Sequence, residues 1–155
     1  MAGITAYRSR AVEPAQEGGV GALVVHCSDA RYLPHFQDFL RDGLGLPRYT
    51  LIAVPGGVHA LTLTEYLPKF SWAGWRWVTF LENLFQPPRV ILIGHEDCRW
   101  YKDARFHHLH GGADGAQHAD LRRVRAEMQA RFPRMAVETW FARLEGTEAQ
   151  FTREP

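Results

Sequence analysis

Four consecutive residues, Val90-Ile91-Leu92-Ile93, constrain the fold of this chain more than any other feature. A half-exposed strand shows water a polar side chain at every second position. An unbroken aliphatic run, entered from Pro87-Pro88 and left at Gly94, reads instead as a strand covered on both faces. Two earlier runs share this character. Gly21-Ala22-Leu23-Val24-Val25 stops at His26-Cys27-Ser28-Asp29, and Tyr49-Thr50-Leu51-Ile52-Ala53-Val54 is cut off by Pro55-Gly56-Gly57. Strands of this kind belong to parallel sheets, whose crossovers place helices on both faces.

The intervening segments supply those helices. Pro34 suits a first helical turn, Phe36, Phe39 and Leu40 form a stripe behind it, and Gly43-Leu44-Gly45 ends it. Between Leu61 and Phe85 the spacing is mostly helical. Trp77, Phe80, Leu81, Leu84 and Phe85 follow the period of a face turned to a core. A helix is also predicted from Trp100 to His110, closed by Gly111-Gly112, and another from Ala119 to Phe132 on Leu121, Val124, Met128 and Phe132. Met135 to Leu144 reads as a fourth strand and Ala149 to Thr152 as a short edge strand. The expected fold class is therefore α/β. It has three layers and a mostly parallel sheet of four to five strands in the order 2-1-3-4, with an edge strand and helices on both faces.

The length of 155 residues suits one domain of about the usual size, residues 20–155, after a lead-in at residues 1–19. Lys and Arg total 18 against 17 Asp and Glu, so the net charge of +1 gives no electrostatic reason for binding nucleic acid or a membrane surface. No apolar run reaches the roughly 18 residues that span a bilayer, and the N-terminus lacks the apolar stretch of a secretory signal. With only two cysteines, a cytoplasmic setting is expected.

Chemistry gathers where the first and third strands end. In the order 2-1-3 these strands are neighbours, and the crevice beyond their carboxyl ends is the expected ligand site. Cys27-Ser28-Asp29-Ala30-Arg31 leaves one strand and His95-Glu96-Asp97-Cys98 the other. Two thiols with an imidazole suit Zn²⁺. Alternate residues of an extended segment point the same way, so Cys27, Asp29 and Arg31 can share a side. Zn²⁺ with two thiolates and a neutral His95 sums to zero charge. Asp29 either closes the site as a fourth ligand or pairs with Arg31 and leaves that position to water. Two ordinary buried thiols, or a disulfide, are the alternatives for the cysteines, and a structural ion pair is the alternative for Asp29 and Arg31.

Cys-x-Asp-x-Arg after one strand and His-x-x-Cys after a later one resembles the β-class carbonic anhydrases, over roughly Val20 to Leu144. The resemblance implies zinc held by Cys27, His95 and Cys98, and a catalytic dyad of Asp29 and Arg31. It implies reversible hydration of CO₂ to bicarbonate by a zinc-bound hydroxide, and a homodimer as building block. Hydrolysis of COS or CS₂ on the same zinc is a second reading; a non-catalytic zinc module closed by Asp29 is a third. Where family members carry glycine after the second cysteine, this chain has Arg99-Trp100-Tyr101. The family's Asn-Ala-Gly-like turn is here Val54-Pro55-Gly56-Gly57.

Other residues have plainer readings. His107, His108, His110 and His118 read as a solvated helix end and loop, with proton shuttling as the alternative. His26 and His59 are possible pocket residues. Trp77 reads as core, Trp72 and Trp75 as cover for a subunit contact, and Arg122, Arg123 and Arg125 as a solvated helix face.

Overall fold

The computed structural model describes residues 6–10, 19–63, 68–103 and 112–155. Strand β1 (Leu23–Cys27) leads into α1 (Leu33–Asp38), which widens into a π-helical turn (Phe39–Gly43). Then come β2 (Thr50–Val54), a 3₁₀ turn (Gly57–Leu61), α2 (Pro68–Phe85), β3 (Arg89–His95), α3 (Gly112–Arg131), β4 (Ala136–Glu145) and β5 (Glu148–Glu154). The sheet order is β2-β1-β3-β4-β5, parallel except for the antiparallel β5, as the expected α/β architecture requires.

Side-chain alternation sorts the apolar residues into two cores. Leu23, Val25, Val90 and Leu92 pack against Val78 of α2 and Leu121, Val124 and Met128 of α3. Ala22, Val24, Ile91 and Ile93 pack on the opposite face against Phe36 and Leu40. Both β1 and β3 are buried along essentially their whole length, which is why neither shows polar alternation. Burying each such aliphatic side chain contributes about 1.5–3 kcal/mol.

Four expectations need correction. β1 runs on through His26 and Cys27, and β3 through His95, because the ladder continues as Cys27↔Val54 and His95↔Ala142. The long helix α3 begins at Gly112, at φ 72°, rather than at Ala119. Over its described part the helix expected from Trp100 is a turn, with Lys102 N–H bonded to the Cys98 carbonyl; residues 104–110 lie outside the described residues, as does most of the lead-in.

On α2 three of the five residues predicted to face the core lie on the outside, while Leu81 packs against the core as expected. Trp77, Phe80 and Leu84 are exposed, whereas Ser71, Gly74, Trp75 and Val78 are buried. The roles of Trp75 and Trp77 are thus reversed, while Trp72 is exposed as read. Small and polar residues win the inner face because α2 approaches the 3₁₀ turn closely. Ser71 Oγ and Trp75 Nε1 both donate to the Leu61 carbonyl at 3.1 Å, and a Cβ on Gly74 would sit 2.8 Å from Leu61 Cδ2.

Candidate metal centre

Cys27 closes β1 on the face of Leu23 and Val25; His95 closes β3 on the opposite face, with Ile91 and Ile93. Beyond the sheet edge the two side chains converge with Cys98 from the following turn. One donor atom from each lies within 4.8 Å of the others, and all three residues are buried. The two sulfurs are 3.9 Å apart. A tetrahedral zinc with Zn–S bonds of ~2.3 Å requires a separation of about 3.8 Å.

The donor set is prepared for a cation. His95 Nδ1 donates to the Glu96 carbonyl at 2.8 Å, which leaves Nε2 as the unprotonated nitrogen. Nε2 is buried and has no hydrogen-bond partner among the described residues. Such an orphaned lone pair is costly unless something electrophilic meets it. A hydrogen bond from the Cys98 thiol holds Cys27 well below the usual thiol pKa against its burial, helped by the Gly56 N–H, 3.3 Å from Sγ. Cys98 is pushed up in turn, by the thiolate it donates to and by burial. The contact between the sulfurs thus favours the thiolate form at Cys27, the form in which a cysteine binds a metal.

Support for these ligands comes from residues the sequence reading passed over. Gln117 of α3, buried, accepts from His95 N–H at 3.1 Å and donates to the His95 carbonyl at 2.7 Å. Glu96 Oε1 accepts from Leu144 N–H at 2.6 Å and ties the same corner to β4. Gln117 falls one turn before Leu121 on an otherwise apolar face, and that misplaced amide is the signal that could have found it.

Asp29 and Arg31 pair with each other. Arg31 grips both carboxylate oxygens, with Nε at 3.1 Å from Oδ1 and Nη2 at 2.7 Å from Oδ2, and its own N–H bonds Oδ1 at 3.0 Å. Arg31 therefore holds the Asp29 carboxyl below its ordinary pKa. Asp29 shares a cavity of about 480 Å³ with Cys27, Arg31, Pro55, Arg99 and Trp100. The Trp100 indole lies over Gly56, whose φ of 76° is left-handed, and its Nε1 donates to His59 Nδ1 at 2.9 Å. His59 also stacks on Tyr101, with ring centroids 4.4 Å apart.

The remaining histidines separate. His26 turns to the other core, its ring 4.5 Å from that of Phe36 and its Nδ1 donating to the Cys27 carbonyl. Burial lowers its pKa. His118 is no solvated loop residue: it lies on α3, with Nδ1 2.6 Å from Glu154 Oε1 of β5. His107, His108 and His110 lie outside the described residues.

No helix among the described residues is long and apolar enough to cross a membrane. Neither a family model nor a curated protein matches the sequence. Among the solved structures that match in three dimensions are two carbonic anhydrases. A carbonic anhydrase from Glaciozyma antarctica has a TM-score of 0.50 at 16% identity, over 89% of this chain and 84% of that one. The β-carbonic anhydrase CafA of the fungal pathogen Aspergillus fumigatus has a TM-score of 0.51 at 14% identity, over 88% and 77%. At these identities the likeness is one of fold: an α/β chain with the five-stranded, mostly parallel sheet of β-carbonic anhydrases.

Proposed function

We propose that this chain is a zinc-dependent lyase of the β-carbonic anhydrase kind, which hydrates CO₂ reversibly to bicarbonate. The observation that carries the reading is the buried convergence of Cys27, His95 and Cys98 on one point, with His95 Nε2 otherwise unpartnered among the described residues. Two thiolates and a neutral imidazole match the softness and charge of Zn²⁺, giving a centre of zero net charge in a buried place. Bound there, zinc would supply the acidified water that such a hydration needs near neutral pH.

The protein's own groups do the rest. His95 keeps the tautomer set by Glu96. Asp29, anchored by Arg31, accepts a hydrogen bond from the attacking water and aims its lone pair at the CO₂ carbon. Asp29 is absent from the three-residue cluster and committed to Arg31, which favours this reading over a module that Asp29 closes permanently. Pro55 and Trp100 line the same cavity, and their apolar surfaces suit a small apolar substrate. That indole wall also favours a second substrate reading, the linear and apolar COS or CS₂ on the same residues.

Zinc analysis of purified protein, with Cys27→Ser as control, tests the metal. Rates with CO₂, COS and CS₂ measured side by side test the substrate. Stoichiometric zinc, lost in Cys27→Ser, and CO₂ hydration that rises above neutral pH and falls in Asp29→Asn, are the expected results. A zinc-free protein, or a zinc-loaded one inert to all three gases, overturns the assignment.

The reading includes a homodimer and a reducing setting such as the cytoplasm, which suits two free thiols. Edge strand β2 carries no charged residue, whereas the opposite edge β5 carries Glu148, Arg153 and Glu154. Exposed Leu51 of β2 lies with Trp77 and Phe80 of α2 in an apolar band that a second copy would cover. A monomer in sedimentation at micromolar concentration would remove this part.

A further inference from the structure

Arg31 does not belong to Asp29 alone. Its Nη1 donates to Asp97 Oδ2 at 2.7 Å, and its Nη2 donates to the Asp97 carbonyl at 2.9 Å. Every guanidinium nitrogen is thereby engaged, on one side by the carboxylate after β1 and on the other by the loop after β3. Asp97 sits between His95 and Cys98 in that loop, at a left-handed φ of 55° that a non-glycine residue rarely adopts. Its second oxygen, Oδ1, is held by Lys102 from the next turn. The four charges alternate as Asp29, Arg31, Asp97 and Lys102 and sum to zero, so neither cation is drawn from its carboxylate by an unbalanced neighbour.

We propose that Asp97 is a positioning residue: by fixing the guanidinium of Arg31 to the ligand loop, it keeps Asp29 off the metal position and so leaves a fourth coordination position for solvent or substrate. The proposal rests on the metal reading above. A carboxylate two residues from a thiolate ligand is itself a competent zinc ligand, so something must restrain it. Arg31 is more than a third exposed, and an exposed ion pair alone is a weak restraint. Anchorage at two points of a second loop changes that, because Arg31 can then follow Asp29 inward only by abandoning Asp97 Oδ2 and the Asp97 carbonyl together. Asp97 touches neither metal nor substrate and acts only through Arg31.

The test uses the full chain loaded with Co²⁺ in place of Zn²⁺ and reads thiocyanate binding through the visible cobalt bands. A solvent ligand exchanges for thiocyanate; a bound Asp29 carboxylate does not. An Asp29 that occupies the position for about nine-tenths of the time weakens apparent thiocyanate affinity about tenfold. Asp97→Ala is expected to take up cobalt stoichiometrically yet show that loss. Asp97→Asn, which keeps an oxygen acceptor for Arg31, should fall nearer the wild type. Asp29→Ala/Asp97→Ala should regain the affinity of Asp29→Ala.

Unchanged thiocyanate affinity in Asp97→Ala overturns the proposal. So does a loss that the second substitution fails to reverse, since the invading ligand would then not be Asp29. A Asp97→Ala protein that no longer takes up cobalt also overturns it, by making Asp97 a part of the metal loop's own stability. A wild-type protein without cobalt uptake removes the metal reading itself, and this inference with it.

Discussion

Replacing Gly56 by alanine should cost far more than a methyl group at a surface turn, and the size can be worked from the structure. At φ 76° an L-residue other than glycine carries a penalty of about 1–2 kcal/mol. The new Cβ would also lie 2.7 Å from Trp100 Nε1 and 2.9 Å from its Cγ, and closer still to Cδ1. The indole must then withdraw, and the hydrogen bond it gives His59 lengthens or breaks, worth roughly a further 0.5–1.5 kcal/mol with some lost packing besides. A total near 2–4 kcal/mol is expected. Urea unfolding followed by circular dichroism, with reductant and chelator present so that metal does not contribute, measures it. The partition is tested by the double mutant. In a Trp100→Ala background only the backbone penalty should remain, so the two substitutions should couple by at least about 1 kcal/mol. Additivity within about 0.5 kcal/mol would refute the proposed contact between indole and turn.

Further outcomes follow from groups around the same corner. Tyr32, whose buried hydroxyl has no partner among the described residues, should tolerate phenylalanine with a gain of about 0–2 kcal/mol in urea unfolding; a loss would refute the orphaned state. Burial also pushes the Tyr32 pKa up to about 12. Ionisation of Tyr32 is thereby disfavoured in the fold, so stability holds below pH 10 and falls as pH rises from 10 through 12. Tyr32→Phe should remove that step in stability and in the 295 nm absorbance titration. Asp97 is held down to about 2 by Lys102 and then Arg31, so its contribution is present above about pH 4 and disappears as pH falls toward 2; a carboxyl NMR titration at the ordinary aspartate value would contradict the network. Zinc at a hundredfold excess over its dissociation constant should stabilise the fold by about 2.7 kcal/mol, and chelator should reverse this; no shift in melting temperature would refute a native-state site.

Residues that announce themselves by one strong physical property were legible in the sequence. Val90 to Ile93 have no polar member, and so short a run between Pro87-Pro88 and Gly94 favours a strand covered on both sides. Cys27, His95 and Cys98 carry donor chemistry at the ends of such strands, so the topology that brings β1 beside β3 brings them together. What escaped was decided by shape instead of polarity. Periodicity on α2 chose Trp77 and Phe80 for the core, yet the inner stripe is Ser71, Gly74, Trp75 and Val78, chosen by how near the 3₁₀ turn comes and by the Leu61 carbonyl that needed donors. Gln117 escaped for the same reason. A buried amide becomes favourable only once the two backbone groups of His95 stand opposite it, and that juxtaposition exists only in three dimensions.

The two strand-end ligands enter from opposite sides of the sheet, Cys27 with the layer of α2 and α3, His95 with the layer of α1. An ion gripping both would act as a rivet through the whole sandwich, sensitive to slippage of either helical sheath. Assembly order follows from this geometry: a half-folded chain presents at most part of the grip, so firm ion capture marks completion of folding rather than its onset.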